Sequence, residues 1–334
     1  MLELQLDVYG LGNALMDLQL QITEDELVDL GLEKAAMKLV EVEEQKRLIG
    51  AFADRTVHRA SGGSAANTMI AVSQLGGKSA YGCMLGDDDF GRAYAREMDG
   101  LGILLHTTPL FGQPTGTCVV LITPDAERTM NTHLGASASL DAAHVREEIL
   151  ARAKWLYVEG YLFSSSPGRN AVRKAVDLAK ANGVKVAVTF SDGFIVDVFG
   201  ESLREVVSKA DLVFANLHEA RKFTGEDAED DIFAKLCSSA PNAVMTMSER
   251  GSRVYFSGQS AMIAPFLVHA VDDTGAGDMF AGGFLYGITH GLSGQDAGRL
   301  ACFLASRVVS QMGPRLRGDV RTLLRDSEFS AWFV

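Results

Sequence analysis

The chain has 334 residues, 47% of them hydrophobic, which is enough for one large or two ordinary domains with a substantial core. Its formal net charge of −12 argues against a nucleic-acid-binding protein, because phosphate backbones are bound by clustered Lys and Arg. Its four cysteines are far apart and form no C-x-x-C pair, which favours buried thiols in a reducing compartment over a disulfide framework or a zinc site.

The first predicted element is a strand over residues 4–11. No basic segment precedes an apolar one here, and no later stretch is long and apolar enough to span a bilayer, so we expect a cytoplasmic protein. The strand ends in a polar tip, where Asn13 and Asp17 either face a cleft or are ordinary turn residues. A Gly-x-Gly pair imitates a dinucleotide fingerprint, but Leu15 takes the third glycine position, which leaves a dehydrogenase as a weak alternative.

A turn formed by Gly62 and Gly63 then opens a helix of small and apolar residues that we expect to stop at Gly76. Asn67 lies inside this helix, where a buried amide must find hydrogen-bond partners. A hydroxyl-rich ligand would provide them. In the structural alternative, Gly63 and Ser64 cap the helix and Asn67 is an ordinary polar residue.

Residues 106–135 depart from the helix-rich pattern around them. Extended segments at 115–123 and 128–133 flank a turn and predict a hairpin. The hairpin is either an edge of the sheet or part of a lid. In a lid, Arg128 would reach a phosphate, whereas an arginine at a hairpin is more often only solvated.

Beyond residue 142 the predicted strands and helices alternate regularly. Strands are predicted over 155–158, 184–190, 212–215 and 243–247, and helices over 168–181, 195–208, 217–223 and 231–239. This order predicts an α/β fold with a doubly wound, mostly parallel sheet flanked by helices, whose ligands bind beyond the carboxyl ends of the strands. The residues at those ends include Glu159, Tyr161, Asn216, Glu219, Ser248 and Gly251.

Asn216 and Glu219 are three residues apart at the start of a predicted helix, so they share one face of it. Their oxygens suit a hydrated Mg²⁺ ion. A helix cap with an acid at its third position explains the same pair without any ion. Both interpretations stay open at this point.

The most informative stretch covers residues 270–278 and runs into an apolar helix rich in small residues. Its turn places the backbone N–H groups of Gly275, Ala276 and Gly277 at the helix N-terminus, where they form an anion site. Asp278 is either a general base that takes a proton from a hydroxyl or a first-turn Asp that complements the helix dipole. We expect a final helix over 296–311.

Two motifs resemble the PfkB, or ribokinase-like, family of small-molecule kinases: Gly-Gly-Ser-Ala-Ala-Asn at 62–67 and Asp-Thr-Gly-Ala-Gly-Asp at 273–278. The resemblance covers nearly the whole chain. Shorter stretches look more like adenosine kinases than ribokinases, and they lie at 12–17, 113–118, 160–161, 191–196 and 216–220. The resemblance implies one ribokinase-like α/β domain over 1–334, with a small β-rich lid drawn from about 14–40 and 106–135.

The reaction that the resemblance implies is transfer of the γ-phosphoryl group of ATP to a primary hydroxyl of a nucleoside, with adenosine as the leading acceptor. Mg²⁺ is an implied cofactor and K⁺ an optional one. A sugar kinase, an inosine or guanosine kinase and a non-catalytic binding protein with the same fold remain alternatives. The implied partner is a small nucleoside or sugar, without nucleic acid or membrane, and the implied assembly is a monomer or a homodimer.

By the same resemblance Asp278 is the catalytic base, the segment Gly275-Ala276-Gly277 is the anion hole, and Arg128 closes on the phosphates. The implied acceptor-site residues are Asn13, Leu15, Asp17, Gly62, Gly63, Ser64, Asn67 and Tyr161. Five residues either enclose a purine base or pack as ordinary core, and they are Leu15, Met37, Leu39, Tyr161 and Leu162. The implied ATP and ion contacts are Asn216, Ser248, Gly251 and Thr274, with Asn216 and Glu219 for water-mediated Mg²⁺ and Asp272 for a monovalent cation.

Overall fold

Strands and helices alternate along most of the chain in the computed structural model, which describes residues 5–125 and 127–332. The strands are β1 (Leu6–Leu11), β2 (Leu15–Gln21), β3 (Met37–Leu39), β4 (His58–Gly62), β5 (Ser79–Gly82), β6 (Leu104–His106), β7 (Gly116–Ile122), β8 (Arg128–His133), β9 (Ala153–Val158), β10 (Lys185–Thr189), β11 (Leu212–Asn216), β12 (Ala243–Thr246), β13 (Ser252–Phe256) and β14 (Gln259–Ile263). The predicted start of the first strand, Leu4, lies outside the described residues.

The helices are α1 (Glu24–Asp29), α2 (Val42–Ala51), α3 (Ser64–Gln74), α4 (Asp89–Gly100), α5 (Glu147–Leu150), α6 (Ser166–Ala181), α7 (Gly193–Val207), α8 (Leu217–Thr224), α9 (Glu229–Ser239), α10 (Ala276–Thr289), α11 (Gly294–Val309) and α12 (Val320–Arg325). The helix predicted as the last is therefore α11, and one more follows it. In this part of the chain, none of the helices combines the length and the apolar character that crossing a membrane requires.

The large sheet has nine strands in the order β14-β13-β12-β11-β10-β9-β1-β5-β6. Neighbouring strands from β12 to β6 are parallel, whereas β12, β13 and β14 pair antiparallel. Parallel strands covered by helices are buried on both faces, and β1 is accordingly buried at every position. This sheet confirms the predicted fold class.

The sequence pattern does not predict the edge hairpin of β13 and β14. The hairpin turns at Ser257 and Gly258, whose φ angles are +51° and +79°. Two successive positive φ angles match the right-handed twist of the flanking strands. A Ser-Gly pair between two extended runs is therefore the signal that the sequence offers for this hairpin.

A second, five-stranded sheet has the order β3-β8-β7-β2-β4. Its centre is the predicted hairpin, since β7 and β8 pair antiparallel, and β2 joins β7 in parallel. Most of its strands come from the two stretches predicted to form a lid. Strand β4, which the sequence pattern does not predict, pairs antiparallel with β2. The division of the chain into one domain and a lid stays a prediction.

Helix α10 packs against α3 and α11 through small residues. A Cβ on Gly282 would lie 2.5 Å from the Cβ of Ala71 in α3, and a Cβ on Gly283 would lie 2.7 Å from Cδ1 of Leu304 in α11. Because glycine has no side chain, Gly282 and Gly283 let these closely packed helices approach to this distance. The close contact brings the first turns of α3 and α10 within hydrogen-bond distance of each other.

We expect Gly282→Ala to lower the free energy of unfolding by about 1–3 kcal/mol, because the added methyl group overpacks the contact between α3 and α10. Gly50→Ala is the control, since this exposed glycine in α2 has open space around the new Cβ. The alanine should stabilise α2 by about 0.5–1 kcal/mol. Urea unfolding followed by circular dichroism measures both changes, and an unchanged Gly282→Ala protein would contradict the packing explanation.

Candidate active site

A cleft of about 430 Å³ lies at the carboxyl ends of the large sheet, with residues of the second sheet on its other side. This volume is typical of sites for small molecules. The cleft brings together most of the predicted motifs, although they are distant in the sequence. The predicted site residues that line it are Asn13, Leu15, Asp17, Gly63, Ser64, Asn67, Tyr161, Asn216, Glu219, Thr274, Gly275, Gly277 and Asp278.

The carboxylate of Asp278, in the first turn of α10, receives two hydrogen bonds from α3. Ser64 Oγ donates to Oδ1 over 2.6 Å, and Asn67 Nδ2 donates to Oδ2 over 3.0 Å. Burial raises the pKa of Asp278 to about 6, while these two hydrogen bonds and the charge of Arg315 oppose the rise. The carboxylate is therefore mostly ionised at neutral pH and can accept a proton from a nearby hydroxyl.

The turn before α10 has the features of an anion site. Gly275 caps the helix with a left-handed backbone (φ +76°), and a Cβ there would lie 2.5 Å from the carbonyl oxygen of Pro314, so only glycine fits. Among the described residues, no protein group accepts a hydrogen bond from the N–H groups of Gly275, Gly277 and Asp278. Unpaired N–H groups at the positive end of a helix dipole fit a phosphate.

The sequence assigns the N–H group of Ala276 to this anion site, but in the structure that group has a protein partner. This N–H group donates to the carbonyl oxygen of Asp273 over 3.1 Å and closes the turn. The residue is not part of the cleft lining. The geometry therefore favours the N–H groups of Gly275, Gly277 and Asp278 as the anion site, in place of the predicted Gly275, Ala276 and Gly277.

Glu159, which follows β9, is only 1% exposed and ties the loop after β1 to α3. Its Oε1 accepts hydrogen bonds from the backbone N (2.7 Å) and the Nδ2 (2.8 Å) of Asn13, and its Oε2 accepts one from the backbone N of Ala65 (2.8 Å). Burial raises the pKa of Glu159 to about 7, against the effect of these bonds. Gly63 completes the junction, because its φ is +105° and a Cβ there would lie 2.1 Å from the carbonyl oxygen of Asn13.

Asp17 on β2 faces the cleft, and no described residue donates a hydrogen bond to its carboxylate. Burial raises its pKa to about 7, although the charges of Arg315 and Arg128 lower it. Gly62 does not line the cleft, but a Cβ there would lie 2.5 Å from the carboxylate oxygens of Asp17. Gly62 thus leaves space for this carboxylate, whose free acceptors suit the hydroxyl groups of a ligand.

Asn216 and Glu219 form the helix cap that the sequence offers as their structural explanation. Asn216 donates to Glu219 from its backbone N (2.9 Å) and its Nδ2 (2.8 Å), and Glu219 N donates back to Asn216 Oδ1 (2.8 Å). Burial raises the pKa of Glu219 to about 7. Within the described ranges, no cluster of three or more His, Cys, Asp or Glu side chains is arranged for a metal. Water-mediated Mg²⁺ binding by the pair stays a prediction.

Arg128 and Asp272 form a buried ion pair outside the cleft lining, with side chains 7% and 2% exposed. Besides the Arg128 guanidinium, Asp272 accepts hydrogen bonds from the backbone N of Thr274 (3.0 Å) and of Gly313 (2.6 Å). The pair therefore braces the loop before α10. Protein donors occupy the carboxylate of Asp272, whereas Arg128 uses only Nη2, and its buried Nε has no partner among the described residues. The contacts predicted for Arg128 with phosphate and for Asp272 with a monovalent cation stay predictions.

Ser248 and Gly251 lie in the turn between β12 and β13, outside the cleft lining. Gly251 has a φ of +84°, and a Cβ there would lie 2.0 Å from the carbonyl oxygen of Ile263. Glycine is therefore required by the close approach of the hairpin chain. The ATP contacts predicted for Ser248 and Gly251 stay predictions.

Apolar side chains also line the cleft. They include Leu15, Met37, Leu39, Met130, Leu134 and Tyr161. The Tyr161 hydroxyl donates to the carbonyl oxygen of Ser191 over 3.3 Å, which holds the ring in place. Leu162, predicted beside Tyr161, is instead only 2% exposed in the core below.

The sequence does not single out two residues that organise the site, Glu159 and Arg315. The position of Glu159 at the end of a predicted strand is its only signal. Arg315 follows a Gly-Pro pair in the loop after α11, and its Nε donates to Asn67 Oδ1 over 3.1 Å. No local pattern relates Arg315 to Asn67, because 248 positions separate them.

Comparisons with known proteins agree with this geometry. The model of the pfkB family of carbohydrate kinases matches residues 33–319. A probable sugar kinase from Rhizobium etli CFN 42 has a similar structure, with a TM-score of 0.90 and 33% identity over 99% of each chain. Adenosine kinase from Sinorhizobium meliloti gives a TM-score of 0.89 and 34% identity over 96% of this chain and 99% of its own. Adenosine kinase 1 from Arabidopsis thaliana is 24% identical over 91% of this chain and 94% of its own.

We expect Glu159→Ala to lower the free energy of unfolding by roughly 3 kcal/mol or more, since each buried donor left without an acceptor costs about 1–3 kcal/mol. Glu201→Ala is the matched control, because Glu201 is an exposed glutamate in α7. Urea unfolding of both variants gives the comparison. A loss below about 1 kcal/mol for Glu159→Ala would mean that its three hydrogen bonds do not hold the loop after β1 against α3.

Proposed function

The chain belongs to the pfkB family of carbohydrate kinases, and from this premise we propose that it is an ATP-dependent nucleoside kinase with adenosine as its leading acceptor. The family and the relatives make it a phosphotransferase that acts on an alcohol group. The proposal depends above all on one observation: the carboxylate of Asp278 lies beside the unpaired N–H groups at the start of α10 and inside a cleft lined by both polar and apolar side chains.

Phosphoryl transfer needs alignment, charge neutralisation and a base near the attacking oxygen. In the proposed reaction, the acceptor oxygen bonds to the γ-phosphorus while its proton passes to Asp278. The bond from the γ-phosphorus to the bridging oxygen breaks, and ADP leaves with that electron pair. The N–H groups of Gly275, Gly277 and Asp278 would hold the oxygens of the transferred group through hydrogen bonds that strengthen as charge develops.

The polar side of the cleft supports a ribose as the part that carries the acceptor hydroxyl. No described residue donates a hydrogen bond to the carboxyl group of Asp17, whereas Ser64 and Asn67 already donate to Asp278. With its pKa raised to about 7, Asp17 is ionised in part at neutral pH, and its free oxygens suit the hydroxyls of a vicinal diol. A sugar held there would have its remaining hydroxyl next to Asp278.

The apolar side supports a nucleoside over a free sugar. A ribose bound at Asp17 would leave the surfaces of Leu15, Leu39 and Tyr161 in water, whereas an attached purine would cover them. The same base would stack against or pack beside the fixed Tyr161 ring. The relatives include adenosine kinases, and the S. meliloti enzyme is as similar to this chain as the probable sugar kinase is.

Mg²⁺ would enter with ATP and neutralise charge on its phosphates. Asn216 and Glu219 line the same cleft as Thr274 and Gly275, which fits contact with such an ion through water. Their mutual hydrogen bonds would hold both side chains in place for it. We keep K⁺ only as an optional cofactor, because the carboxylate of Asp272 is occupied.

An acceptor panel tests the substrate class. With Mg²⁺ and ATP, we expect kcat/KM for adenosine to exceed that for ribose or fructose by about 100-fold or more, since the base adds apolar contacts in the bound state. Inosine and guanosine test how strictly the base is read. Formation of phosphorylated product, followed by chromatography, is the measurement. Transfer to a free sugar alone would leave the kinase assignment intact and overturn the nucleoside proposal.

We expect Asp278→Asn to reduce kcat by about 100-fold to 10,000-fold, the usual contribution of a general base. Binding of adenosine, measured by calorimetry, should change little. Asp296→Asn is the control, because Asp296 is also the third residue of a helix and accepts a hydrogen bond from a serine hydroxyl, Ser293 Oγ, over 2.8 Å. Full turnover by Asp278→Asn would remove Asp278 from the base role.

The same residue gives a pH dependence with a defined sign. Burial raises the pKa of Asp278 to about 6, and only the ionised form can accept a proton. We therefore expect kcat/KM for the wild-type protein to fall as the pH drops through about 6. A rate that stays constant from pH 7 to pH 5 would contradict this assignment.

A further inference from the structure

We propose that Arg315 is a positioning residue for phosphoryl transfer: it fixes the orientation of the Asn67 amide and places a positive charge behind Asp278. The inference rests on the proposed function for its kinetic consequences. Arg315 itself does not line the cleft, so it acts through Asn67 and Asp278 and not by touching the substrate.

The orientation of the Asn67 amide follows from its two partners. Arg315 Nε donates to Asn67 Oδ1 over 3.1 Å, and Asn67 Nδ2 donates to Asp278 Oδ2 over 3.0 Å. A flipped amide would place its NH₂ group against the guanidinium and its oxygen against the carboxylate. Both contacts would be repulsive, because arginine has no acceptor and an ionised carboxylate has no donor. The arginine therefore keeps the NH₂ group directed at Asp278.

Arg315 is itself held in place from the opposite side. Its Nη1 donates to Glu97 Oε1 over 2.7 Å, and its Nη2 contacts Ser61 Oγ over 3.3 Å. The other oxygen of Glu97 accepts from the backbone N of Ser61 over 3.1 Å. The side chain of Arg315 is only 14% exposed. Helix α4 and strand β4 thus fix a guanidinium whose planar set of donors cannot be reproduced by lysine.

The loop that carries Arg315 contacts the other parts of the site as well. Gly313 N donates to Asp272 Oδ2 over 2.6 Å, and Pro314 packs against Gly275 at the anion site. One short segment therefore touches the loop before α10, the cap of α10 and the Asn67–Asp278 pair. This arrangement explains why a residue far from the known motifs can set the geometry of the base.

The carboxyl groups of Asp17 and Glu159 interact electrostatically with Asp278, and their ionised forms disfavour its own ionised form. The nearby hydroxyls of Tyr157 and Tyr161 are neutral, because burial raises their pKa values far above neutral pH. Arg315 is the cation that lowers the pKa of Asp278, against the larger effect of burial. Loss of this charge should therefore raise that pKa and shift proton uptake to higher pH.

Arg315→Met tests the proposal, because methionine is uncharged and has no donor. We expect kcat at pH 7 to fall by about 10-fold to 100-fold with little change in KM for ATP, and the acidic limb of kcat/KM to move up by about 1 pH unit. Arg315→Lys restores the charge without the fixed fork. It should keep the acidic limb close to the wild-type position and still lose part of kcat.

Arg253→Met is the matched control. The Arg253 side chain is 19% exposed, forms an ion pair with Asp230 and lies over the ring of Phe233, away from the cleft. This variant should keep the wild-type kcat and pH profile. If Arg315→Met does not fold, as judged by circular dichroism, the test passes to Arg315→Lys, where an unchanged kcat would overturn the positioning role.

A titration of the Asp278 carboxyl carbon by NMR separates this inference from the proposed function. We expect its midpoint in Arg315→Met to lie about 1 pH unit above that of the wild-type protein, whatever the acceptor. An unchanged midpoint together with an unchanged kcat would overturn the inference while leaving a kinase. Absence of transfer to every acceptor by both the wild-type and Arg253→Met proteins would overturn the proposed function, and the NMR midpoint would still decide the charge effect of Arg315.

Discussion

The close packing of α10 on α3 is the contact on which the rest of the site depends. Gly282 and Ala71 let the two helices approach, and their first turns then join through the hydrogen bonds from Ser64 and Asn67 to Asp278. A wider spacing would separate the carboxylate from its donors while leaving each helix intact. The site is thus a product of core packing, because more than 200 positions separate the bonded residues in sequence.

The cleft gathers carboxyl groups that the fold does not fully neutralise. Burial raises the pKa values of Asp17 and Glu159 to about 7 and that of Asp278 to about 6. A carboxyl whose pKa is higher in the folded state contributes stability at low pH, and this contribution is lost as the pH rises through the folded pKa. At neutral pH the ionised forms of these buried groups therefore lower the free energy of unfolding. Such a cost is common where function requires reactive groups in a partly dry cleft.

The fold could be predicted well because its signals are local. Alternating strands and helices gave the parallel sheet, Gly76 marked the end of α3, and the hairpin over β7 and β8 was visible as two extended runs. The motifs also placed Asn67 and Asp278 on the cleft. The remainder depends on contacts between distant segments. Arg315 and the pairing of Arg128 with Asp272 have no local signature, and the strand end that marks Glu159 does not show which groups it binds. The pattern of the turn before α10 likewise does not show that the N–H group of Ala276 has a protein partner.

The most direct test of the central claim is a crystal structure with adenosine and a non-hydrolysable ATP analogue bound together with Mg²⁺. We expect the 5′-hydroxyl within about 2.6–3.2 Å of the Asp278 carboxylate, since a general base must be in hydrogen-bond reach of its proton. The γ-phosphate should lie on the N–H groups of Gly275 and Gly277. A 5′-hydroxyl bound instead at Asp17 or Glu159, out of reach of Asp278, would contradict the claim that the start of α10 carries out the transfer.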